Sequence, residues 1–297
     1  MCAGSSKPTQ RFGGWPGWRP LIAAAALALA SGCATPPTPA KRAQHADALA
    51  AAHGWSALTL EAAGFSLRAY VPPPPAAQTG WLTVYIEGDG LAWLTPSQVS
   101  PDPTPIDPVG LRLALAQPEG QAAYLARPCQ FTGAQRSPCS PALWTTRRFA
   151  PEAVAATNQA LDALQRRLGP RGLVLVGYSG RAAIAALAAA RRHDVVALLS
   201  VAGNLDPNAW VRLHGLSPLT GSLDPATETD RLIRLTQYHF AGASDTVIPP
   251  ALAHGYAARY PATRRPTVES VPGMTHACCW AEQWPTLWRR AMAGLKP

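Results

Sequence analysis

Apolar positions along the chain fall into two alternating patterns. Leu173 to Val176 and Val195 to Val201 are continuous apolar runs, as expected of strands buried on both faces of a parallel sheet. Between such runs the apolar residues recur every three or four positions. Over Pro151 to Leu168, Val154, Leu161, Leu164 and Leu168 share one helical face, and Gly169-Pro170 ends it. Gly180 to Arg192 is Ala-rich and helical, and Pro250 to Tyr260 reads as a further helix. Near the end Trp280, Trp284, Leu287, Trp288, Met292 and Leu295 form an amphipathic stripe whose tryptophans belong to a core. Extended segments are expected at Ala57–Leu60 and Phe65–Val71 as a hairpin about Gly64. Others are expected at Trp81–Ile86, Ala122–Ala126, Thr236–Ala241 and Thr267–Val271. Strands alternating with helices predict one α/β domain built on a mostly parallel sheet with helices on both faces.

The amino-terminal third departs from this pattern. Leu21 to Ala30 is an apolar run of ten residues behind Lys7, Arg11 and Arg19, the proportions of a signal-peptide core and too short for a spanning helix. Ser31-Gly32-Cys33 follows it and resembles the bacterial lipobox, in which the cysteine takes a lipid and becomes the new amino terminus. That resemblance implies cleavage after residue 32, lipidation of Cys33 and, with Ala34 next, the outer membrane facing the periplasm. Residues 33–50, with the Pro/Thr stretch ATPPTPA, read as a stem, and residues 51–297 as the folded domain.

Composition narrows the class. The 297 residues are 47% hydrophobic, which excludes a wholly disordered chain. The formal charge of +9 falls to +6 without the three basic residues of the leader. No run of Lys/Arg and no nucleic-acid motif accompanies it, so nucleic acid is not an expected partner. A monomer is expected.

Export changes the meaning of the six cysteines. Cys2 leaves with the leader, and Cys129, Cys139, Cys278 and Cys279 remain for an oxidising compartment. Cys129–Cys139 closes a short loop and is the first pairing expected, leaving Cys278 and Cys279 as a vicinal pair or free thiols. Crossed pairings stay open. A four-cysteine zinc site lacks the usual spacing, and no metal or cofactor is expected.

The chemistry concentrates at Gly177-Tyr178-Ser179-Gly180, between the buried strand and the Ala-rich helix. A serine on such a turn is held in a strained backbone, points beyond the carboxyl end of the sheet and has a helix amino terminus behind it. With lipobox, YIEGDG, RPC, AGNLD, GASD and a late His, the chain resembles the α/β-hydrolase superfamily, and within it a family of bacterial α/β-hydrolase lipoproteins of mostly unassigned substrate. The likeness spans Trp81 to Leu295. It implies an α/β-hydrolase fold with a covering loop or lid over Trp210–Arg231, and a triad in chain order.

In that order Ser179 is the nucleophile, Asp245 in the loop after the Thr236–Ala241 strand is the acid, and His276 before the terminal helix is the base. Asp206 is the alternative acid, with helix capping as its other role. The resemblance places the oxyanion donors at the Gly180 N–H and the Asp89 N–H, so the Asp89 carboxylate must turn away or find a partner. Arg181 stands where the family has a small residue and is expected to turn outward. The implied activity is hydrolysis of a small-molecule or lipid ester. The alternatives are a hydrolase-fold binding lipoprotein without turnover, or an acyltransferase or peptidase on the same triad.

Overall fold

The computed structural model describes residues 35–73 and 80–295. The leader, Cys2 and Cys33 lie outside them. Helix α1 (Pro39–Ala52) leads to strands β1 (Ser56–Ala62), β2 (Phe65–Val71) and β3 (Trp81–Ile86). A short ribbon of β4 (Trp93–Thr95) and β5 (Gln98–Val99) comes next, then α2 (Val109–Leu115) and β6 (Gln121–Leu125). Then come α3 (Pro151–Leu168), β7 (Gly172–Tyr178), α4 (Arg181–Ala189), β8 (Val195–Val201), α5 (Pro207–Leu213) and α6 (Thr229–Leu232). The chain finishes with β9 (Thr236–Gly242), α7 (Pro250–Ala257), β10 (Thr267–Val271) and α8 (Trp280–Met292).

Eight strands form one sheet in the order β1-β2-β6-β3-β7-β8-β9-β10. The hairpin β1–β2 and the β2–β6 pair are antiparallel, and every pairing from β6 to β10 is parallel. One apolar layer takes in residues of α3, α4 and α7, and the other residues of α1, α2 and α8. β7 runs through the middle with all seven residues buried, which is why its sequence shows no alternation. The nine residues of α4 are buried as well. Six of them are alanines, which let the helix lie close on the sheet, and a Cβ on Gly177 would come within 2.5 Å of the Ala182 Cα. On the opposite face Trp280 and Trp284 are buried in the core, and the Trp284 indole N–H donates to the Tyr85 hydroxyl at 2.7 Å.

The folded region starts earlier than composition indicated. Residues 39–50, read as stem, belong to helix α1, which is capped by Thr38 with Pro39 in its first turn. The compact unit runs from Pro36 onward. What the Pro/Thr composition hid is a tertiary anchor. Arg42 is 4% exposed, pairs with Asp102 at 3.6 Å and donates to the Thr104 carbonyl.

Candidate active site

Parallel strands deliver their following loops to one edge of the sheet, and that edge gathers the chemistry. Ser179 directly follows β7, and its φ of 53° lies in the left-handed region. A non-glycine residue held there stores strain that the surroundings must support. The Ser179 N–H donates to the Val201 carbonyl at 3.0 Å, and its own carbonyl accepts from Asn204 and Ala182. The turn is thus fixed on both sides of the side chain.

The loops after β9 and β10 meet the serine. Ser179 Oγ lies 2.9 Å from His276 Nε2, and His276 Nδ1 lies 2.9 Å from Asp245 Oδ2. The other oxygen of Asp245 accepts the N–H groups of Val247 and Ile248, both at 2.8 Å, so the carboxylate cannot rotate freely. A carboxylate only accepts, which puts the Nδ1 proton toward Asp245 and leaves the Nε2 lone pair facing the Ser179 hydroxyl. Close backbone packing sets the spacing of the two loops. A Cβ on Gly242 would meet the Met274 carbonyl at 2.6 Å, and the Ser244 N–H donates to that same carbonyl. Tyr178 and Trp280 then hold the His276 carbonyl, each from 3.0–3.1 Å.

Beside this chain lies the loop after β3, the neighbour of β7. Among the described residues, neither the Asp89 nor the Gly180 backbone N–H donates to another group. Two unpaired amides next to a serine are what a developing oxyanion needs. The Asp89 carboxylate has found its partners: Arg127 Nη1 on Oδ1 at 2.9 Å and Arg148 Nη1 on Oδ2 at 2.8 Å. Burial works against its charge, but Arg148 first, then Arg127 and Arg181, outweigh that and hold the carboxyl below its usual range. It fills the space where a Cβ on Gly180 would sit. Sequence reasoning named Asp89 but missed Arg127, Arg148 and Gln130; the RPCQ string was the available signal for Arg127 and Gln130, and none marked Arg148.

Glu87, at the start of this loop, is buried. Its Oε1 accepts the Gly88 and Gly110 N–H groups at 2.9 and 3.1 Å. Burial pushes its carboxyl up to about 7, against those hydrogen bonds.

Three expectations are corrected. Arg181 does not turn outward: it is 1% exposed, and none of its guanidinium nitrogens has a hydrogen-bond partner among the described residues. Burial, and Arg127 nearby, pull its pKa well down. Asp206 does not reach His276. It caps α5 through the Ala209 N–H at 2.9 Å and pairs with Arg259 at 2.5 Å. The crossed disulfides also fall, because Cys129 is bonded to Cys139 and Cys278 to Cys279. No group of three or more His, Cys, Asp or Glu side chains among the described residues is placed to hold a metal ion.

A second Ser–His contact, Ser200 Oγ to His239 Nδ1 at 3.0 Å, lies inside the sheet. Both residues are at most 1% exposed, and among the described residues His239 has no carboxylate partner. Burial alone pulls its pKa down to about 3, so the ring stays neutral. This pair is core. The Trp210–Arg231 segment holds the end of α5, turns and α6, and Trp210 lies against the Arg148 guanidinium at 5.7 Å.

This architecture is the α/β-hydrolase fold. No protein-family model matches the sequence, and no curated protein matches it. Solved structures do. An α/β serine hydrolase without a lid from Xanthomonas campestris aligns over 82% of this chain and 97% of its own, at TM-score 0.54 and 15% identity. Est1E from Butyrivibrio proteoclasticus with ferulic acid bound aligns over 80% and 99%, at TM-score 0.57 and 14% identity. A puromycin-hydrolysing peptidase from Mycobacterium tuberculosis aligns over 80% of this chain but 38% of its own, at TM-score 0.57 and 16% identity.

Proposed function

We propose that this protein is a serine hydrolase that cleaves carboxylic esters through an acyl-enzyme, with Ser179 as nucleophile, His276 as base and Asp245 as its orienting acid. The observation that carries this reading is the unbroken hydrogen-bonded series from Ser179 Oγ through the imidazole to Asp245. His276 Nε2 takes the hydroxyl proton as Oγ attacks the ester carbonyl. The Asp89 and Gly180 N–H groups receive the oxyanion. Collapse expels the alcohol, which takes the proton back from His276, and a water then clears the acyl group by the same steps. Est1E, seen with ferulic acid, and the puromycin-hydrolysing peptidase share the fold, which supports hydrolysis as the reaction class.

Labelling with a fluorophosphonate probe tests the reading. Wild-type protein is expected to label and Ser179→Ala to lose the label. No label on wild type, or a label that survives in Ser179→Ala, overturns it.

The leader pattern and Cys33 support a lipid anchor that holds the domain at the periplasmic face of the outer membrane. Cys33→Ser is expected to release the protein from the membrane fraction. Retention of the variant overturns the anchor.

A further inference from the structure

The Asp89 N–H and the Gly88 carbonyl belong to one peptide unit. In a planar trans peptide these two bonds point in opposite directions. Whatever holds the Gly88 carbonyl therefore decides where the Asp89 N–H points.

Gln130 holds it. Its Nε2 donates to the Gly88 carbonyl at 3.1 Å and to the Pro103 carbonyl at 3.2 Å, which uses both amide protons. Its Oε1 accepts the Arg127 N–H at 3.4 Å, so the surroundings also specify which end of the amide donates. The side chain is fully buried. The contact runs on along the loop, since a Cβ on Gly90 would meet Gln130 Nε2 at 2.8 Å.

Gln130 is itself pinned. Its neighbours Cys129 and Phe131 both have left-handed backbones, with φ of 73° and 63°. Non-glycine residues stay in that region only where the surroundings over-determine them. Here Cys129 is bonded to Cys139, and the Phe131 N–H donates to Thr104 Oγ1 at 2.9 Å. Arg127, three residues before Gln130, reaches the same loop and donates to the Asp89 carbonyl at 3.3 Å and its carboxylate.

We propose that Gln130 is a positioning residue for the oxyanion: it holds the Gly88–Asp89 peptide so that the Asp89 N–H faces the reacting carbonyl, and the Cys129–Cys139 disulfide keeps Gln130 in place. This rests on Ser179 being the nucleophile. It gives the YIEGDG and RPCQ strings one shared task, since one carries the donor and the other aims it.

The test uses three variants of the full chain. Gln130→Glu keeps the size but sets an acceptor against two carbonyls, and Gln130→Met keeps the bulk without a donor. Cys129→Ser/Cys139→Ser removes the pin and leaves Cys278–Cys279 intact. Because the three differ in severity, one that fails to fold does not stop the test. With a chromogenic short-chain ester, kcat is expected to fall about 10- to 100-fold in the Gln130 variants, less than the loss of a direct oxyanion donor. KM is expected to stay within about threefold, because the contact matters in the transition state. Affinity for an alkyl boronic acid, a tetrahedral mimic, should fall by the same factor as kcat. The double cysteine variant should move in the same direction by less.

Amide hydrogen exchange gives a readout free of turnover. Residues 87–91 are expected to exchange at least about tenfold faster in Gln130→Met, while 173–178 stay protected. Unchanged exchange at 87–91 overturns the proposal. So does an opened loop with unchanged kcat, or a loss confined to KM. If wild-type protein shows no Ser179-dependent turnover, the hydrolase reading fails, and the exchange measurement still decides whether Gln130 holds the loop.

Discussion

The hydroxyl of Tyr178 donates to the backbone carbonyl of His276 at 3.0 Å. The residue just before the serine thereby holds the loop that carries the imidazole, across 98 positions of sequence. Its ring also lies against the imidazole, with centroids 5.8 Å apart. Trp280 shares the same carbonyl at 3.1 Å, so the loop keeps one support if the other is lost. Tyr178→Phe is accordingly expected to lower kcat only about three- to tenfold, the worth of one ordinary hydrogen bond. Steady-state kinetics checks this, and a loss beyond about a hundredfold would mean that Tyr178 does more than brace the loop.

The two aspartates separate cleanly. Asp245→Asn keeps the size of the side chain but turns the tautomer logic around, and kcat is expected to fall about 10,000-fold. Asp206→Asn removes a charge paired with Arg259 while keeping a capping oxygen. It is expected to leave kcat within about twofold and to cost roughly 1 kcal/mol of stability. Kinetics and thermal unfolding on both variants decide between the acids. A large kcat loss in Asp206→Asn would reverse the assignment.

Glu87 predicts a pH effect on stability. Its carboxyl is pushed up to about 7 in the folded chain from an ordinary 4.5, so folding favours the protonated form. The contribution is whole below pH 4.5 and is lost as pH rises through 7. A shift of that size corresponds to roughly 3 kcal/mol at pH 8. Glu87→Gln keeps an acceptor for Gly88 and Gly110 and cannot ionise. The gap in melting temperature between Glu87→Gln and wild type should therefore widen in favour of the variant from pH 5 to pH 8. A constant gap would place Glu87 outside this titration.

Arg181 is a buried guanidinium without a hydrogen-bond partner among the described residues, two positions after Ser179. Such a group carries a desolvation cost of several kcal/mol that an apolar side chain of similar volume avoids. Arg181→Met is expected to raise stability by about 1–3 kcal/mol, read by chemical denaturation. A fall in stability would mean that the nearby Asp89 carboxylate repays the burial.

Gly177→Ala tests the packing under the elbow. The added carbon would meet Ala182 backbone atoms at 2.5 and 2.7 Å, and neither β7 nor α4 can move without shifting Ser179. The expected cost is about 1–3 kcal/mol of stability, with at least tenfold of kcat lost through misplacement of the nucleophile. Denaturation and kinetics together check it, and a variant as stable and active as wild type would show that the elbow is compliant.

Much was legible from local pattern. The continuous apolar run at Leu173–Val176 marks a strand covered on both faces, and the stripe from Trp280 to Met292 marks a helix with one buried side. Both follow from periodicity, a property of neighbouring residues. Ser179, Asp245 and His276 were legible because each stands on a loop at the carboxyl end of a strand, in an order the strands dictate. Helix α1 was not, since it opens on Pro39 directly behind a Pro/Thr stretch and its anchor, Arg42, finds its partners some 60 positions later. Arg181 was misjudged for the same kind of reason: a lone charged residue reads as exposed until its surroundings are known.

The sequence by itself determined the order of the eight sheet strands and of helices α3, α4, α7 and α8, the sharp turn at Ser179 and the three residues brought into hydrogen-bonding distance, because periodicity and chain order are one-dimensional properties. The tertiary structure alone decided how the loop after β3 is held. That hold passes from Gly88 to Gln130, and from Asp89 to Arg127 and Arg148, across 38 to 59 positions. Hydrogen bonds of that kind depend on which loops the sheet places side by side, and no spacing along the chain encodes them.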